Sequence, residues 1–196
     1  MPPPRLALVL GGARSGKSAF AARLAQRWGG PVLFVATATA DDDEMRARIA
    51  AHRRERPSTW RTLETATRVG EQVKAAAHSG GTVLVDCLTL LVSNCLGALS
   101  DPEGADVTDR LDRTVDEEVR ELLVATAAAE ASCIVVSSEV GMGIVPDYPS
   151  GRVYRDALGR ANQYLASQAE NVYLMVAGIP VDIKALAAEA RPDAPA

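Results

Sequence analysis

The stretch Leu6-Ala7-Leu8-Val9-Leu10-Gly11-Gly12-Ala13-Arg14-Ser15-Gly16-Lys17-Ser18 decides the fold of this 196-residue chain. After the apolar run, Gly11 to Ser18 fit the pattern G-x-x-x-x-G-K-[ST], and a helix-like run, Ala19 to Trp28, follows. A strand, a glycine-rich turn and a helix in this order predict a phosphate-binding loop, because the backbone N–H groups of the turn and the helix N-terminus face anionic oxygens. A turn that binds nothing is the alternative, and the flanking strand and helix disfavour it.

Three side chains near this loop are predicted to act on phosphates. Lys17 places positive charge near the outer phosphates, and the Ser18 hydroxyl can ligate Mg²⁺. Asp86 ends a third apolar run, and a carboxylate at the carboxyl end of a strand beside a P-loop can hold the same ion directly or through water. A strand-capping aspartate without a metal is the alternative for Asp86.

The rest of the chain alternates between short apolar runs and segments with helical spacing. The other runs are Val32 to Ala36, Thr82 to Asp86, Cys133 to Ser137 and Val172 to Ala177. Runs without polar alternation are typical of strands that are buried on both faces. The sequence therefore predicts an α/β fold, a P-loop NTPase-like and mostly parallel sheet with helices on both faces.

Length and composition indicate an ordinary globular protein, with 47% hydrophobic and 23% charged residues. We expect one P-loop α/β domain over residues 1–196, with a tail that frays after about residue 185. Two segments rich in Pro, Gly and acidic residues, Ser100 to Asp109 and Gly141 to Gly151, are predicted to be surface loops.

Charge, cysteine content and the N-terminus exclude several classes of protein. A net charge of −4 argues against nucleic-acid binding, which needs a basic surface. Cys87, Cys95 and Cys133 have neither the number nor the spacing of a disulfide framework or a zinc site. No secretory signal and no membrane-spanning stretch is visible, so a cytoplasmic protein is expected.

A histidine lies in a predicted helix between the acidic run at residues 41–44 and Pro57. Met45, Ile49 and His52 share one face of that helix, and a histidine on an apolar face is more often structural than catalytic. Arginines surround it, however, at Arg48, Arg53 and Arg56. Such a cluster can neutralise a phosphate chain, and it favours the neutral imidazole that a nucleophile requires. Both interpretations of His52 therefore stay open on spacing alone.

The chain resembles a known family, the bifunctional adenosylcobinamide kinase/adenosylcobinamide-phosphate guanylyltransferases of cobalamin biosynthesis. The resemblance covers about residues 6 to 184. Besides the P-loop it rests on the histidine segment that ends at His52, then Arg56-Pro57, Trp60-Arg61-Thr62-x-Glu64, Asp86-Cys87-Leu88-Thr89 with Asn94, Glu139-Val140-Gly141-Met142-Gly143-Ile144-Val145-Pro146, and Arg155-Asp156-x-x-Gly159-Arg160-x-Asn162-Gln163. The histidine segment and the block from Glu139 to Pro146 are its most specific parts.

The resemblance implies two activities. One phosphorylates adenosylcobinamide with ATP or GTP. In the other, His52 takes GMP from GTP with release of pyrophosphate, and adenosylcobinamide phosphate then takes the GMP to give adenosylcobinamide-GDP. A homotrimer that acts on a corrinoid substrate is implied as well, and the Gly141 and Gly143 loop is assigned to the corrinoid side as a hypothesis.

The site residues that the resemblance implies agree with those predicted from the phosphate-binding loop and its surroundings. His52 and Lys17 are the expected catalytic residues, and Ser18 and Asp86 the expected Mg²⁺ ligands. The implied nucleotide contacts are Gly11, Gly12, Ala13, Arg14, Ser15, Gly16, Lys17, Ser18, Ala36, Thr37, Ala38, Arg53, Arg54, Glu55, Arg56, Glu64 and Asp86.

Two other functions fit a P-loop. A different small-molecule kinase, with a merely structural His52, would transfer phosphoryl groups without any covalent nucleotide. A regulatory protein would bind GTP without releasing pyrophosphate, and it would leave the histidine and arginine cluster without a purpose.

Overall fold

The computed structural model describes residues 5–40, 42–101 and 104–189 of the chain. The elements in order are β1 (Leu6–Gly11), α1 (Lys17–Trp28), β2 (Val32–Ala36), α2 (Asp43–Glu55), β3 (Arg61–Glu64), α3 (Val69–Ala76), β4 (Thr82–Asp86), α4 (Leu88–Ala98), α5 (Val107–Ala128), β5 (Ser132–Val136), α6 (Pro149–Gln168), β6 (Asn171–Val176), β7 (Ile179–Asp182) and α7 (Ile183–Glu189). All five predicted strands are present within one residue of their expected bounds.

The strands form one seven-stranded sheet in the order β3-β2-β4-β5-β1-β6-β7. Every neighbouring pair is parallel except β6 and β7, which are antiparallel. The predicted mostly parallel α/β fold is therefore confirmed. It places the carboxyl ends of β1, β4 and β5 side by side, which is the edge where open α/β sheets bind ligands.

Hydrophobic cores lie on both faces of the sheet and account for the apolar runs. In β1, Leu8 and Leu10 pack into the core beneath α3, α4, α5 and α6, whereas Ala7 and Val9 pack into the core beneath α1. Successive side chains of a strand point to opposite faces, so both faces require apolar residues. The predicted helices on both faces are confirmed.

The predicted loops differ from the structure at their ends. Helix α5 begins at Val107 and α6 at Pro149, so both loops are shorter than expected. Proline is well suited to the first turn of a helix, because it has no N–H to leave unpaired there. Residues 190–196 of the tail lie outside the described part of the chain, and Ile183–Glu189 forms α7.

Candidate active site

The P-loop follows β1 directly and is braced by the turn between β6 and β7. Gly11 and Gly16 have φ angles of 149° and 93°, in the region that favours glycine. A Cβ atom on Gly11 would lie 2.7 Å from the carbonyl oxygen of Met175, so no larger residue fits there. The Gly178 amide donates to the Ser15 carbonyl over 3.0 Å. The loop is thus held in shape by a strand and a turn from the far end of the chain.

Lys17 lies across the P-loop. Its Nζ atom donates to the carbonyl oxygens of Gly11 and Gly12 over 2.9 and 2.7 Å. Burial lowers the pKa of Lys17, while electrostatic interactions with Cys87 and Asp86 oppose that shift. The ammonium group is therefore positioned within the loop by backbone oxygens, where phosphate oxygens would be better partners.

Asp86 is the group around which the predicted site residues meet. It ends β4, and the Ser18 hydroxyl donates a hydrogen bond to its side chain. Burial raises the pKa of Asp86, and the Ser18 hydrogen bond together with electrostatic interactions with His52, Arg56 and Lys17 opposes that rise. The structure therefore brings the P-loop and the histidine helix to one carboxylate.

A cavity of about 620 Å³ opens between α2 and the carboxyl ends of the neighbouring strands. Helix α2 begins after Asp42, whose side chain accepts from the Met45 amide over 2.7 Å. This is the N-cap bond expected of an aspartate at that position. The predicted site residues that line the cavity are Ala36, Ala38, His52, Arg53, Arg56, Glu64 and Asp86.

His52 is exposed and faces this cavity. Met45 and Ile49 line it too, which confirms the predicted shared face. The face is not packed into either hydrophobic core, because none of the α2 side chains that the structure describes belongs to them. His52 is therefore not a buried structural histidine, and its imidazole is accessible to a ligand.

The arginines of α2 and its C-terminus are placed differently from one another. Arg53 donates from Nε to Glu64 over 3.0 Å, and Arg56 lies against the ring of Phe34. Arg54 is exposed and does not line the cavity. The side chains of Arg48 and Glu55 lie outside what the structure describes. Arg53 and Arg56 are thus the members of the predicted cluster that face the site.

The side chain of Thr37, a predicted nucleotide contact, forms hydrogen bonds within the protein. It is fully buried, and its hydroxyl donates to the Cys87 carbonyl over 2.7 Å and accepts from the Cys87 amide over 2.8 Å. Asn94 Nδ2 donates to the Thr37 carbonyl over 2.8 Å. The Thr37 amide donates to the Asp86 carbonyl over 3.3 Å, so Thr37 joins β2 to the end of β4 and the start of α4 through both its side chain and its backbone.

Several lining residues were not predicted from the sequence. Phe34, Cys87 and Leu90 lie on the cavity wall. Burial and then the charge of Asp86 raise the pKa of the Cys87 thiol to about 11, so it stays protonated near neutral pH. Phe34 belongs to an apolar strand run, in which nothing distinguishes a cavity residue from a core residue. Leu90 could not be recognised from the sequence either, because it lies among other apolar residues in the first turns of α4.

The donor set at Ser18 and Asp86 fits a magnesium ion. The hydroxyl and the carboxylate are hard oxygen ligands in direct contact with each other. Among the described residues no group of three or more His, Cys, Asp or Glu side chains could hold a metal. Mg²⁺ does not require such a group, because in nucleotide sites it keeps water and phosphate ligands and takes only one or two from the protein.

Fold and site together define a class of protein. A seven-stranded α/β sheet carries a P-loop at the end of β1 and an acidic residue at the end of β4. An accessible histidine with two arginines faces the same edge of the sheet. This is a P-loop nucleotide-binding protein with a potential nucleophile at its phosphate site.

Comparison with known proteins gives the family. Residues 7–183 match the model of the family described as cobinamide kinase / cobinamide phosphate guanyltransferase, and the chain belongs to that family. It is 42% identical over 180 residues to the bifunctional adenosylcobalamin biosynthesis protein CobU of Escherichia coli K12, covering 90% of this chain and 98% of that one. CobP of Pseudomonas aeruginosa is 41% identical over 177 residues, with coverage of 90% and 96%.

Among solved structures, the RadB recombinase has a TM-score of 0.46 and 16% sequence identity, covering 88% of this chain and 74% of that one. This likeness is too distant to bear on function. Within the described ranges, no helix is long and apolar enough to cross a membrane. The family assignment therefore rests on the sequence match over nearly the whole chain.

Proposed function

We propose that this protein is a bifunctional enzyme of adenosylcobalamin biosynthesis. It phosphorylates adenosylcobinamide with ATP or GTP and then converts adenosylcobinamide phosphate to adenosylcobinamide-GDP with GMP from GTP. The observation that supports this most is the convergence of Lys17, His52 and Arg56 on Asp86. A P-loop alone would serve any nucleotide enzyme, whereas a nucleophile at its phosphate site is what a covalent nucleotidyl transfer needs.

In the first half of the transferase reaction, a ring nitrogen of neutral His52 attacks the α-phosphorus of GTP. The N–P bond forms as the bond to the bridging oxygen of the β-phosphate breaks, and pyrophosphate leaves. Transfers of this kind depend on neutralising the charge of the phosphate chain. Lys17 and Arg56 lie where they can supply positive charge, and Arg53 adds more at the cavity wall.

In the second half, a phosphate oxygen of adenosylcobinamide phosphate attacks the same phosphorus. The N–P bond breaks, His52 regains its free imidazole, and adenosylcobinamide-GDP forms. The kinase reaction differs, because the aminopropanol hydroxyl of adenosylcobinamide attacks the γ-phosphorus of ATP or GTP. The new O–P bond forms as the bond to the β–γ bridging oxygen breaks, ADP or GDP leaves, and the hydroxyl proton passes to solvent. Mg²⁺ held by Ser18 and Asp86 would neutralise phosphate charge in both reactions.

The alternatives are a P-loop kinase without a covalent intermediate and a GTP-binding regulatory protein. Neither explains why an accessible histidine and Arg56 line the same cavity as the carboxylate that contacts the P-loop serine. We further propose a homotrimer in the cytoplasm, as the family resemblance implies. The seven strands among the described residues form one sheet, which supports the proposal of a single domain over residues 1–196.

The test is incubation of the purified protein with Mg²⁺ and GTP labelled at the α-phosphorus, followed by denaturing gel electrophoresis. We expect an acid-labile label on the wild-type chain and none on a His52→Asn variant. His78 is the other of the two histidines and lies outside the cavity, so His78→Asn is the matched control and should keep the label. A wild-type chain that binds GTP but never carries the label would exclude the transferase activity.

A further inference from the structure

A second cavity, of about 460 Å³, lies along α6 on the other side of the P-loop from the histidine helix. We call it the α6 groove, and its lining includes Leu10, Glu139, Gly141, Arg155, Gly159 and Gln163. Leu10 immediately precedes the P-loop, and the Glu139 amide donates to the Gly11 carbonyl over 3.2 Å. The groove therefore begins at the phosphate site but shares no residue with the cavity that contains His52.

Hydrogen-bond donors and acceptors alternate along the groove. Arg155 offers N–H donors, Glu139 offers carboxylate oxygens, and the exposed amide of Gln163 offers both. Asn162, which is only 6% exposed, donates from Nδ2 to the Ser138 carbonyl over 3.2 Å. Its Oδ1 has no partner within the described part of the chain. An unpaired buried acceptor is uncommon, because it costs free energy until a donor reaches it.

The loop that contributes Gly141 to the groove also carries apolar side chains. The loop that begins at Gly141 continues into Met142, Ile144 and Val145, which are 81%, 96% and 57% exposed. Adjacent exposed apolar side chains on a monomer commonly mark a binding surface. The groove thus has polar groups at its wall, and the loop that contributes Gly141 to it exposes apolar side chains.

We propose that the α6 groove binds the corrinoid substrate, with the amide side chains of the corrinoid on the polar wall and its macrocycle against the apolar loop. The proposal rests on the proposed function, since it names the place of the second substrate. A corrinoid is an apolar ring with primary amides around its edge, and each amide both donates and accepts hydrogen bonds. A groove separate from the His52 cavity would let the corrinoid reach the phosphate site while the nucleotide occupies that cavity.

Gly159 allows a direct test. It lines the groove, and a Cβ atom on it would have no neighbour within 4 Å, so a Gly159→Trp side chain can enter the groove without clashing with the fold. Gly159→Ala adds only a methyl group at the same place. Gly97→Trp is the matched control, because Gly97 is exposed in α4, has equally open space and does not line the groove.

Two measurements are made on each full-length variant. Equilibrium dialysis measures the affinity for adenosylcobinamide, and labelling with α-phosphorus-labelled GTP measures the formation of the nucleotide intermediate. We expect Gly159→Trp to weaken corrinoid binding at least ~10-fold, because its ring occupies the volume of the ligand. Gly97→Trp should bind the corrinoid as the wild type does, Gly159→Ala should weaken binding far less than Gly159→Trp, and all variants should still carry the label.

Corrinoid affinity that Gly159→Trp leaves unchanged overturns the proposal. So does weaker binding by Gly159→Trp that is accompanied by a smaller species in sedimentation velocity, because the groove would then be an interface between copies of the chain. A wild type that never carries the label, yet loses corrinoid affinity on Gly159→Trp, would refute the transferase activity while supporting the groove. The failure of one proposal is thereby distinguishable from the failure of the other.

Discussion

The guanidinium carbon of Arg56 lies 3.7 Å from the centre of the Phe34 ring. On β2 that ring is also stacked with Trp60, at an interplanar angle of 24° and a centroid distance of 6.4 Å. The Nε and Nη1 atoms of Arg56 are buried and have no hydrogen-bond partner among the described residues. The positive charge is thus held at the cavity wall by an aromatic face, and its donors are left for an anionic ligand.

The first prediction concerns this stacking. Replacement Phe34→Leu should raise the KM for GTP about 3- to 10-fold, because a cation–π contact contributes roughly 0.5 to 2 kcal/mol and Arg56 would lose its fixed orientation. The measurement is steady-state kinetics of pyrophosphate release with varied GTP. Phe34→Tyr keeps the aromatic ring and should restore a KM close to that of the wild type.

Phe34 is 5% exposed, so loss of packing has to be separated from loss of positioning. Urea unfolding of both variants measures the packing effect. If Phe34→Leu destabilises the fold but leaves the KM for GTP unchanged, Phe34 is only a core residue and the idea of a positioning role is wrong.

The second prediction is that replacing Asp86 stabilises the fold at about pH 8 but lowers activity. Burial raises the pKa of Asp86, so the folded state holds its proton more tightly than the unfolded state does. The stability that this group contributes is therefore complete at acid pH and is lost as the pH rises through the raised value. Asp86→Asn does not ionise, so it should unfold at a higher temperature than the wild type at about pH 8.

The advantage of Asp86→Asn in thermal unfolding should shrink as the pH falls toward the ordinary aspartate value of 3.8. Transferase and kinase activity should both fall at least ~100-fold, the usual effect of losing one preorganised charged group. Thermal unfolding followed by circular dichroism at several pH values makes the comparison. A variant that is less stable than the wild type at every pH would show that the attraction of Lys17 and Arg56 outweighs burial.

The third prediction concerns the start of α3, which is capped from α5. Glu118 is 8% exposed, and its carboxylate accepts from the amides of Arg68 and Val69, the latter over 2.9 Å. Glu118→Ala leaves these donors unpaired and should lower the free energy of unfolding by about 1–3 kcal/mol. Urea denaturation measures the loss.

The neighbouring Glu117 is exposed and provides the control for Glu118. Glu117→Ala should change the free energy of unfolding by no more than ~0.5 kcal/mol. Equal effects of the two substitutions would mean that the charge of α5, and not the capping of α3, is what matters.

The fourth prediction concerns the closest contact between α3 and α5. A Cβ atom on Gly70 would lie 2.4 Å from the Cβ of Glu121 and 2.7 Å from the Leu122 amide nitrogen. Gly70→Ala should therefore destabilise the fold by about 1–3 kcal/mol, because the two backbones must separate. Chemical unfolding of the variant gives the value.

Gly97→Ala should have the opposite effect on stability. Gly97 lies in α4 with open space around it, so the added methyl group should stabilise the fold by roughly 0.5–1 kcal/mol through helix propensity. A Gly70→Ala variant that gains stability as Gly97→Ala does would show that α3 can move away from α5 at little cost.

The sequence was most informative where local interactions decide structure. Strands β1, β2, β4, β5 and β6 were expected from their apolar runs, since burial on both faces requires such runs. Strands β3 and β7 were missed. The first, Arg61–Glu64, is largely exposed and polar, and the second, Ile179–Asp182, is short and contains Pro180. Edge strands are often short and carry charged residues or proline, because these features protect the open edge from pairing with another chain.

The chain by itself determined the P-loop, the cap of α2 at Asp42 and the shared face of Met45, Ile49 and His52, because each depends on residues within a few positions of one another. Only the tertiary structure decided that Ser18 contacts Asp86, that Phe34 supports Arg56 and that Glu118 caps α3 from about 50 residues away. Such contacts join segments far apart in the chain. They form because parallel strands bring their carboxyl ends to one edge and the helices above them pack on a common core.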